Sequence, residues 1–440
     1  MSFDYPDSWK KVLLDDAIDA LIDYRGKTPQ KTDRGIPLIT AKIVKNGVIL
    51  PANEYISIND YDDWMTRGFP KIGDVLLTTE APLGEVAQLH DDKVALAQRI
   101  ILLRGKEALL SNDYLLYLMQ SDFIQNQLNA RASGSTVKGI KQSELRKIEL
   151  LIPSYNEQQK IAKILGDLDR KIEKNNQINE TLEAMAQAIF KSWFIDFDPV
   201  KAKVEAKAKG LDDDAINRAA MRVIASKTDA ELDEMQAESP AEYASLQTTA
   251  SHFPDELVES ELGMIPKGWE VSSFNDWVDI KRGKSITKAK VIEGNVPVVA
   301  GGLEPAYYHN EYNVKGPVIT ISASGANAGY VNLYFQNIWS SDSSYIDRGT
   351  SEYFYTSYVC LKFYQDMIFK MQTGAAQPHI YPKDFDRLNI VLGEDNLFLT
   401  IEGIFDTFFM QINLNRLENK VLIELRDSLL PKLLSGEIEV

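Results

Sequence analysis

An apolar seam at helical spacing occurs twice in this chain, and it restricts the possible folds more than any other feature. In residues 156–190 the seam positions alternate steps of four and three over about four heptads. This period lets one long helix pack along another. The first seam reads Ile161, Leu165, Leu168, Ile172, Asn175, Asn179, Leu182, Ala186, Ile189, and adding 240 to each number gives Ile401, Phe405, Phe408, Ile412, Asn415, Asn419, Leu422, Arg426, Leu429. The sequence therefore predicts two long helices built on one pattern.

Two asparagines stand at matching places in both seams. A buried Asn destabilises an apolar seam and is tolerated mainly where it fixes register or partner choice. We therefore predict that the register of the helix pair is set by Asn175, Asn179, Asn415 and Asn419.

The duplication extends into the sequence before each helix. Pro6 and Trp9 recur as Pro266 and Trp269, and the basic Gly turn at 25–28 recurs at 282–285. Apolar runs that follow Gly73 and Gly316 have the composition of strands. An internal repeat of this length is interpreted before any smaller motif. Each half is thus predicted to be a globular region of roughly 130–150 residues followed by one long helix.

These features predict an α+β fold with two globular domains related by a pseudo-twofold duplication and separated by two long antiparallel, coiled-coil-like helices. The predicted parts are a first globular domain at 1–153, a central long helix at 154–195, an acidic helical insertion or linker at 196–262, a second globular domain at 263–393 and a C-terminal long helix at 394–440.

The charge of the chain is unevenly distributed. The net charge of −16 argues at first against a protein that neutralises phosphates. Residues 196–265, however, hold 16 acidic against 7 basic residues, a net of −9, and compact basic runs lie elsewhere. Either solubility or exclusion of a ligand from one face explains the acidic segment. The single Cys360 cannot form an internal disulfide, and without an N-terminal apolar run we expect a cytoplasmic protein.

Residues arranged for catalysis are absent from the sequence. The four histidines are scattered, without a second ligand at metal spacing. A Walker loop, a GxSxG elbow and a dinucleotide fingerprint are missing, as is the Asn-Pro-Pro-aromatic motif of amino-methyltransferases, although Asp198-Pro199 comes superficially close. The sequence therefore predicts a chain that is not an enzyme and binds neither a metal nor a cofactor.

Basic and hydrogen-bonding residues recur at equivalent places in both halves, which favours DNA as the ligand. Lysines and arginines surround a Gly at 281–290 and follow one at 131–147, where small hydroxyl side chains lie between them. Arg99 has the donors to read guanine and Gln98 the amide to read adenine. The candidate DNA-binding residues are Arg25, Lys27, Gln98, Arg99, Arg131, Ser133, Ser135, Thr136, Lys138, Lys141, Arg282, Lys284, Lys288, Ser324, Thr373, Gln377, His379 and Lys383.

Several motifs in this order resemble the specificity (S) subunit of type I restriction-modification enzymes. They include Pro-x-x-Trp near the start, Gly134-Ser135-x-x-Lys138-x-Ile140, Glu157-Gln158-Gln159-Lys160-Ile161 and the closing run at 429–438. The resemblance covers nearly the whole chain. It implies two target recognition domains, each reading one half of a split double-stranded DNA site, with the long helices as a ruler. About 35 helical residues at ~1.5 Å each span ~50 Å, or one and a half turns of B-DNA.

The resemblance also implies partners. Two modification (M) subunits would bring S-adenosylmethionine, and restriction (R) subunits would bring ATP and Mg, in a complex that methylates adenine and defends against foreign DNA. In the second half Leu397-Phe-Leu-Thr400 replaces the Glu157 motif, and Ala375 and Pro378 replace Ser135 and Lys138, so we expect an asymmetric target.

A different class of function also fits part of the sequence. The acidic total charge suits a coiled-coil scaffold whose globular halves bind a protein or a glycan instead of DNA. Binding to random duplex that falls steeply with salt would distinguish DNA recognition from this alternative.

Overall fold

The computed structural model describes residues 6–134, 136–374 and 377–440 and divides the chain into two compact units. Unit 1 consists of Met1–Asn175 and Leu417–Val440, and unit 2 of Asn176–Arg416. The long helices Tyr155–Phe190 and Asp395–Ser435 each begin in one unit and end in the other. Each unit therefore contains one globular domain, the start of the long helix that follows it, and the end of the other long helix.

Unit 1 contains mostly short strands. They are β1 (Lys10–Leu13), β2 (Ile18–Asp23), β3 (Lys31–Thr32), β4 (Ile36–Ile39), β5 (Val44–Lys45), β6 (Val48–Ile49), β7 (Tyr55–Ile56), β8 (Val75–Thr79), β9 (Leu83–Gln88), β10 (Ala95–Leu96), β11 (Ile100–Gly105) and β12 (Glu149–Ile152). Its larger sheets have the orders β2-β11-β8-β9, all antiparallel, and β10-β4-β7-β3, in which β10 runs parallel to β4. Every residue of β8 is buried, as the continuous apolar run after Gly73 predicts for a central strand.

The helices of unit 1 are α1 (Leu14–Ala17), α2 (Tyr61–Trp64), α3 (Asn112–Gln120), α4 (Asp122–Arg131), α5 (Gln142–Leu145) and the first part of α6 (Tyr155–Phe190). A 3-10 turn at Ile58–Asp60 precedes α2. Gln158 anchors α6 to the globular domain, because its buried side-chain amide accepts a hydrogen bond from the backbone of Ser111 at 3.0 Å and donates one to the carbonyl of Leu109 at 2.9 Å. The start of α6 and the start of α3 are thereby held together.

Unit 2 repeats this arrangement after an insertion. Its strands are β13 (Leu257–Ser260), β14 (Gly263–Pro266), β15 (Glu270–Ser273), β16 (Lys281–Arg282), β17 (Val296–Val299), β18 (Tyr307–His309), β19 (Val318–Ser322), β20 (Val331–Tyr334), β21 (Trp339–Ser340), β22 (Ser343–Asp347) and β23 (Asn389–Leu392). The sheet β16-β22-β19-β20 corresponds to β2-β11-β8-β9, and β18-β17-β21, with β21 parallel to β17, corresponds to β7-β4-β10. The antiparallel pair β15-β23 corresponds to β1-β12.

The helices that begin in unit 2 are α7 (Asp198–Ala208), α8 (Asp213–Ala225), α9 (Asp229–Glu238), α10 (Pro240–Ser251), α11 (Phe274–Trp277), α12 (Phe354–Phe363), α13 (Gln365–Lys370) and α14 (Asp395–Ser435). Lys288–Lys290 and Pro382–Arg387 form 3-10 turns, and a π-helical segment at Lys191–Ile195 follows α6. Glu402 near the start of α14 acts as Gln158 does in unit 1. Its buried carboxylate accepts hydrogen bonds from two backbone amides in the first turn of α12, those of Tyr355 at 3.0 Å and Thr356 at 2.8 Å.

The acidic segment predicted as an insertion or linker contains α7 to α10. Asp212 caps α8, and Thr228 forms a capping box with Glu231 at the start of α9. These helices bury small clusters of their own, one of which contains Met221 and Leu232. Lys203 of α7 is buried and donates to the carbonyl of Phe253 at 2.7 Å, and burial lowers the pKa of its ammonium to about 8.

The repeated tryptophans occupy equivalent positions. Trp9 is buried in the core of unit 1, and Gly436, just after α14, lies so close to it and to Pro6 that an added Cβ would be 3.4 Å from the indole. Trp269 is buried in unit 2 with its ring 5.7 Å from that of Phe194, just after α6. Each Pro-x-x-Trp motif therefore packs against the end of a long helix.

The long helices run antiparallel, as their contacts within each unit show. In unit 1 Arg426 donates to Asp169 at 2.8 Å, while Glu418 lies 3.1 Å from Lys171. In unit 2 Arg416 donates to Glu183 at 3.4 Å. Residue numbers thus rise along α6 as they fall along α14. The predicted α+β class, with duplicated globular domains and two long antiparallel helices, is confirmed.

Helix α14 is, among the described residues, the one helix whose length and hydropathy would suit a membrane span. Its apolar residues have another explanation, because Ile401, Phe405, Phe409 and Ile412 are all buried in the core of unit 2. Core packing in unit 2 therefore accounts for these apolar residues of the helix.

Candidate nucleic-acid interface

A loop closed by backbone hydrogen bonds follows α4 in unit 1. The amide of Ser133 donates to the carbonyl of Gly139, and the amide of Gly139 donates back to Ser133, both at 2.9 Å. Ile140 then joins the end of β8, where its amide donates to the carbonyl of Thr79 at 3.0 Å. The base of this loop is therefore held against the central sheet by main-chain atoms.

Unit 2 contains the same closed loop at the predicted offset of 240. Thr373 and His379 exchange backbone hydrogen bonds of 2.9 and 2.8 Å, and the amide of Ile380 donates to the carbonyl of Ala323, after β19, at 3.0 Å. A second brace joins the amide of Gly325 to the carbonyl of Pro378 at 3.0 Å.

Both loops require glycine at the same place. Gly134 has a φ of +113° and Gly374 a φ of +94°, a region that residues with a Cβ rarely adopt. An added Cβ would lie 2.1 Å from the carbonyl oxygen of Val137 in the first loop and 2.6 Å from that of Gln377 in the second. The conformation of the loop therefore depends on this glycine in each unit.

The cations around the first loop differ in how far they are already neutralised. Glu144 accepts a hydrogen bond from Lys147 at 2.7 Å, which lowers the pKa of its carboxyl, and it also lies 3.7 Å from Arg131. Lys138 and Lys141 are exposed and have no carboxylate partner among the described residues. These two lysines are therefore the cations of this stretch best placed to meet a phosphate.

Other predicted residues of unit 1 lie close to the loop base or are exposed. Arg25 donates three of its guanidinium hydrogen bonds to Asp23 and one, from Nη1, to the carbonyl of Ile140 at 2.6 Å. Its guanidinium therefore links Asp23 of β2 to the loop base. Lys27 donates to Thr66 at 3.2 Å. Ser133 and Thr136 are exposed, and Ser135 lies outside the described residues.

Arg99 and Gln98 lie in the short turn between β10 and β11. The backbone carbonyl of Arg99 accepts from the amide of Thr79, the residue that also holds Ile140. The Arg99 side chain is exposed, and none of the described residues pairs with its guanidinium. Gln98 donates to the hydroxyl of Thr28 at 3.1 Å. The loop base and this turn thus meet at the end of β8.

In unit 2 the structure gathers several predicted residues around one carboxylate. Asp342 accepts a hydrogen bond from Arg282 at 2.7 Å and another from the hydroxyl of Ser324. The Arg282 guanidinium lies 5.3 Å from the ring centroid of Tyr381, which stacks on His379 at 5.9 Å. Because His379 also bridges to Ser324, the closed loop and Arg282 form one cluster.

Asp342 and Tyr381 were not among the residues that the sequence suggested. In the sequence Asp342 resembles an ordinary turn residue. The signal that could have identified it is that it occupies the position in the second half that Arg99 occupies in the first. Thr79 donates to the carbonyl of Arg99 at 2.9 Å just as Ala323 donates to that of Asp342 at 3.3 Å. The other candidates in unit 2 are exposed: Lys284, Lys288 at 6.0 Å from the Tyr307 ring, Thr373, Gln377 and Lys383.

The strand register differs from the motif alignment in one respect. The repeated basic turns align Arg25 with Arg282. The ladders instead pair Asp23 with Ile101 and Arg282 with the corresponding Ser344, so that Asp23 and Arg282 are equivalent in the fold. The motif is thus two residues out of register with the sheet, because the turns after β2 and β16 differ.

All four seam asparagines are buried and paired. In unit 1 the amide of Asn175 donates to Asn419 at 2.8 Å, and in unit 2 the amide of Asn415 donates to Asn179 at 2.8 Å. Their exposed fractions lie between 1% and 8%. Each pair joins α6 to α14 within one unit.

Groups for metal binding are not assembled in the part of the chain that the structure describes. There, no group of three or more His, Cys, Asp and Glu residues could hold a metal ion.

The fold and the repeated loops define a protein with two duplicated globular domains, and comparison with known proteins identifies its family. The chain belongs to the family of the type I restriction modification DNA specificity domain, whose model matches residues 6–184 and 266–424. It carries two such domains and belongs with the type I restriction enzyme specificity subunits.

Individual relatives cover most of the chain. It is 30% identical to the type I restriction enzyme HindI specificity subunit of Haemophilus influenzae, over 79% of this chain and 82% of that protein. It is 27% identical to the MjaIX specificity subunit of Methanocaldococcus jannaschii, over 92% and 87% of the two chains. The crystal structure of a type I S subunit from M. genitalium has the same fold, with a TM-score of 0.57, 17% identity and coverage of 98% and 97%.

Proposed function

We propose that the chain reads a bipartite, asymmetric double-stranded DNA site, one half with each unit. The observation that carries this proposal is the closed loop, which recurs in both units with the same glycine and the same attachment to the central sheet. Lys138 and Lys141 beside the first loop have no carboxylate partner among the described residues, whereas His379 and Gln377 belong to the second. Different side chains on the same backbone favour two different half-sites.

The long helices have the properties of a scaffold for M subunits. In unit 2 Met410 and Leu414 of α14 are more than half exposed, and in unit 1 Leu417 and Val421 are as well. They follow the steps of four and three that partner helices require. Exposed apolar residues at this spacing favour a helical protein partner. We propose that two M subunits dock through such helices and that R subunits join the assembled complex.

Cofactors would then belong to the partners. S-adenosylmethionine would bind the M subunit, and ATP with Mg the R subunit, while this chain supplies recognition and register. Such a complex would act on DNA in the cytoplasm as a defence against foreign DNA.

A binding and methylation assay with matched lysine variants tests the proposal. Purified with its M subunit, the chain should methylate one discontinuous sequence, whereas the isolated chain with S-adenosylmethionine should transfer no methyl group. Replacing Lys138 and Lys141 together by Ala should flatten the plot of log K against log salt by about 1.8, since each phosphate contact contributes about 0.9. Lys147→Ala is the control, because its charge is already paired with Glu144.

Two results would contradict the proposal. One is methylation by the isolated chain. The other is binding to duplex by the complex that does not weaken as salt rises, which would favour a ligand other than DNA.

A further inference from the structure

Two positions at the base of the closed loop carry opposite charges in the two units. The ladders make Asp23 of β2 equivalent to Arg282 of β16, and the backbone bonds at the ends of β8 and β19 make Arg99 equivalent to Asp342. Unit 1 therefore has a carboxylate on β2 and a guanidinium in the turn before β11. Unit 2 has the guanidinium on β16 and the carboxylate in the turn before β22. Each unit keeps one Arg and one Asp at this pair of positions.

The carboxylates serve different partners in the two units. In unit 1 Asp23 is only 9% exposed and is occupied by Arg25, so Arg99 is left exposed without a partner among the described residues. In unit 2 Asp342 holds Arg282 itself, at 2.7 Å between Oδ1 and Nη2. Each unit thus has one Arg at this pair of positions, which lies in the β10–β11 turn in unit 1 and on β16 in unit 2.

Arg282 is held in place but remains accessible. Asp342 accepts one hydrogen bond from its guanidinium, and the guanidinium carbon lies 5.3 Å from the centroid of the Tyr381 ring. Ser324 donates to the other oxygen of Asp342, so the carboxylate is itself oriented. The Arg282 side chain is still 38% exposed, and its remaining N–H groups donate to no other described residue. A planar, oriented guanidinium is suited to bidentate recognition and loses little entropy on binding.

From this arrangement we infer that Arg282 reads a guanine in the second half-site through its O6 and N7 atoms, with Asp342 as its positioning residue, in the role that Arg99 fills for the first half-site. This inference rests on the proposed function, and it assigns to Arg282 base recognition instead of a phosphate contact. A phosphate contact would need only charge, whereas the O6 and N7 acceptors of guanine match two parallel N–H donors.

Arg282→Lys separates these roles because it keeps the charge and removes the planar fork. The complex with its M subunit is assayed by methylation of a DNA library in which each half-site position is randomised. We expect Arg282→Lys to lower discrimination for one guanine of the second half-site by about 5- to 150-fold and to leave the first half-site unchanged. Arg99→Lys should do the reverse.

Asp342→Asn tests the positioning role. It keeps the shape of the side chain but removes the charge that holds Arg282. We therefore expect a partial loss of discrimination for the same guanine and for no other position of the site. Lys281→Ala is the matched control, since it removes a neighbouring exposed cation that is paired with Asp279 and should relax no position. Circular dichroism of each variant establishes that it is folded.

The outcomes distinguish this inference from the proposed function. If the wild-type complex recognises a bipartite sequence but Arg282→Lys weakens all sequences equally, or not at all, Arg282 is not a base reader and the inference fails alone. The inference would also be overturned if Asp342→Asn lowered base discrimination at a position that Arg282→Lys does not affect. If the wild-type complex shows no sequence preference, the proposed function fails as well.

Discussion

The buried asparagine pair of unit 2 provides a quantitative test of register. Asn415 is 4% exposed and donates its amide to Asn179 at 2.8 Å. Asn179→Leu would leave this donor buried without its acceptor, at a cost of ~1–3 kcal/mol in the free energy of unfolding. Replacing both residues by Leu removes donor and acceptor together, and such exchanges are often neutral or stabilising. We therefore expect a coupling energy of ~1–3 kcal/mol between the two positions.

A double-mutant cycle in the full chain measures this coupling. Urea unfolding gives the free energies, and hydrogen exchange of the amides around residues 179 and 415 localises the change, since a chain with two units need not unfold in one step. Glu180→Leu, an exposed position on the next residue of α6, is the control and should change stability by less than ~0.5 kcal/mol. Additive single effects would refute the reasoning.

The same variants test whether the asparagines set the spacing between half-sites. With all four replaced by Leu the seams are continuously apolar around these layers, and a shifted pairing is no longer penalised. Mapping methylated bases in cells that carry the variant with an M subunit should then reveal additional spacer lengths. An unchanged single spacer would assign the asparagines another purpose.

Three further predictions concern the loops, one buried lysine and the cysteine. Gly134→Ala and Gly374→Ala should each destabilise their loop by more than ~1 kcal/mol and speed hydrogen exchange at its base, whereas Gly403→Ala in α14, where an added Cβ meets nothing within 4 Å, should stabilise by ~1 kcal/mol. Burial lowers the pKa of Lys203 from 10.5 to about 8, so between these pH values the unfolded chain holds this proton more tightly than the folded chain. The free energy of unfolding should therefore rise as pH increases through this range. Urea unfolding of Lys203→Met should lack this pH-dependent rise. Cys360 is fully buried, which raises the pKa of its thiol, so it should react with iodoacetamide only after unfolding; rapid labelling of the native chain would contradict its placement.

Local periodicity made the long helices predictable. The seam spacing and the repeated asparagines are properties of one helix face, and burial at Asn175 and Asn415 follows from position alone. The closed loops were predictable for a similar reason, since Gly134 and Gly374 mark a backbone conformation that few other residues adopt.

The partners of individual charges were not predictable. Arg25 and Arg282 begin the same sequence motif, yet one has its guanidinium occupied by Asp23 and the other is held by Asp342, 60 residues away. The carboxylate that pairs with each Arg depends on the register of strands that are distant in sequence. The motif and the strand ladders differ by two residues, and this shift places Arg282 on the strand position that Asp23 occupies in unit 1. Propensity and spacing carry no information about that register.

The division of the chain between its units has a consequence for biosynthesis. Unit 2 is a single uninterrupted segment, Asn176–Arg416, whereas unit 1 includes Leu417–Val440, from which Leu433 and Leu434 enter the core that contains Trp9. During synthesis the first globular domain therefore emerges before the segment that completes its core, whereas all of unit 2 has been made once Arg416 is added. A nascent chain that stops before Leu417 would expose apolar surface in unit 1 and become a substrate for chaperones and proteases.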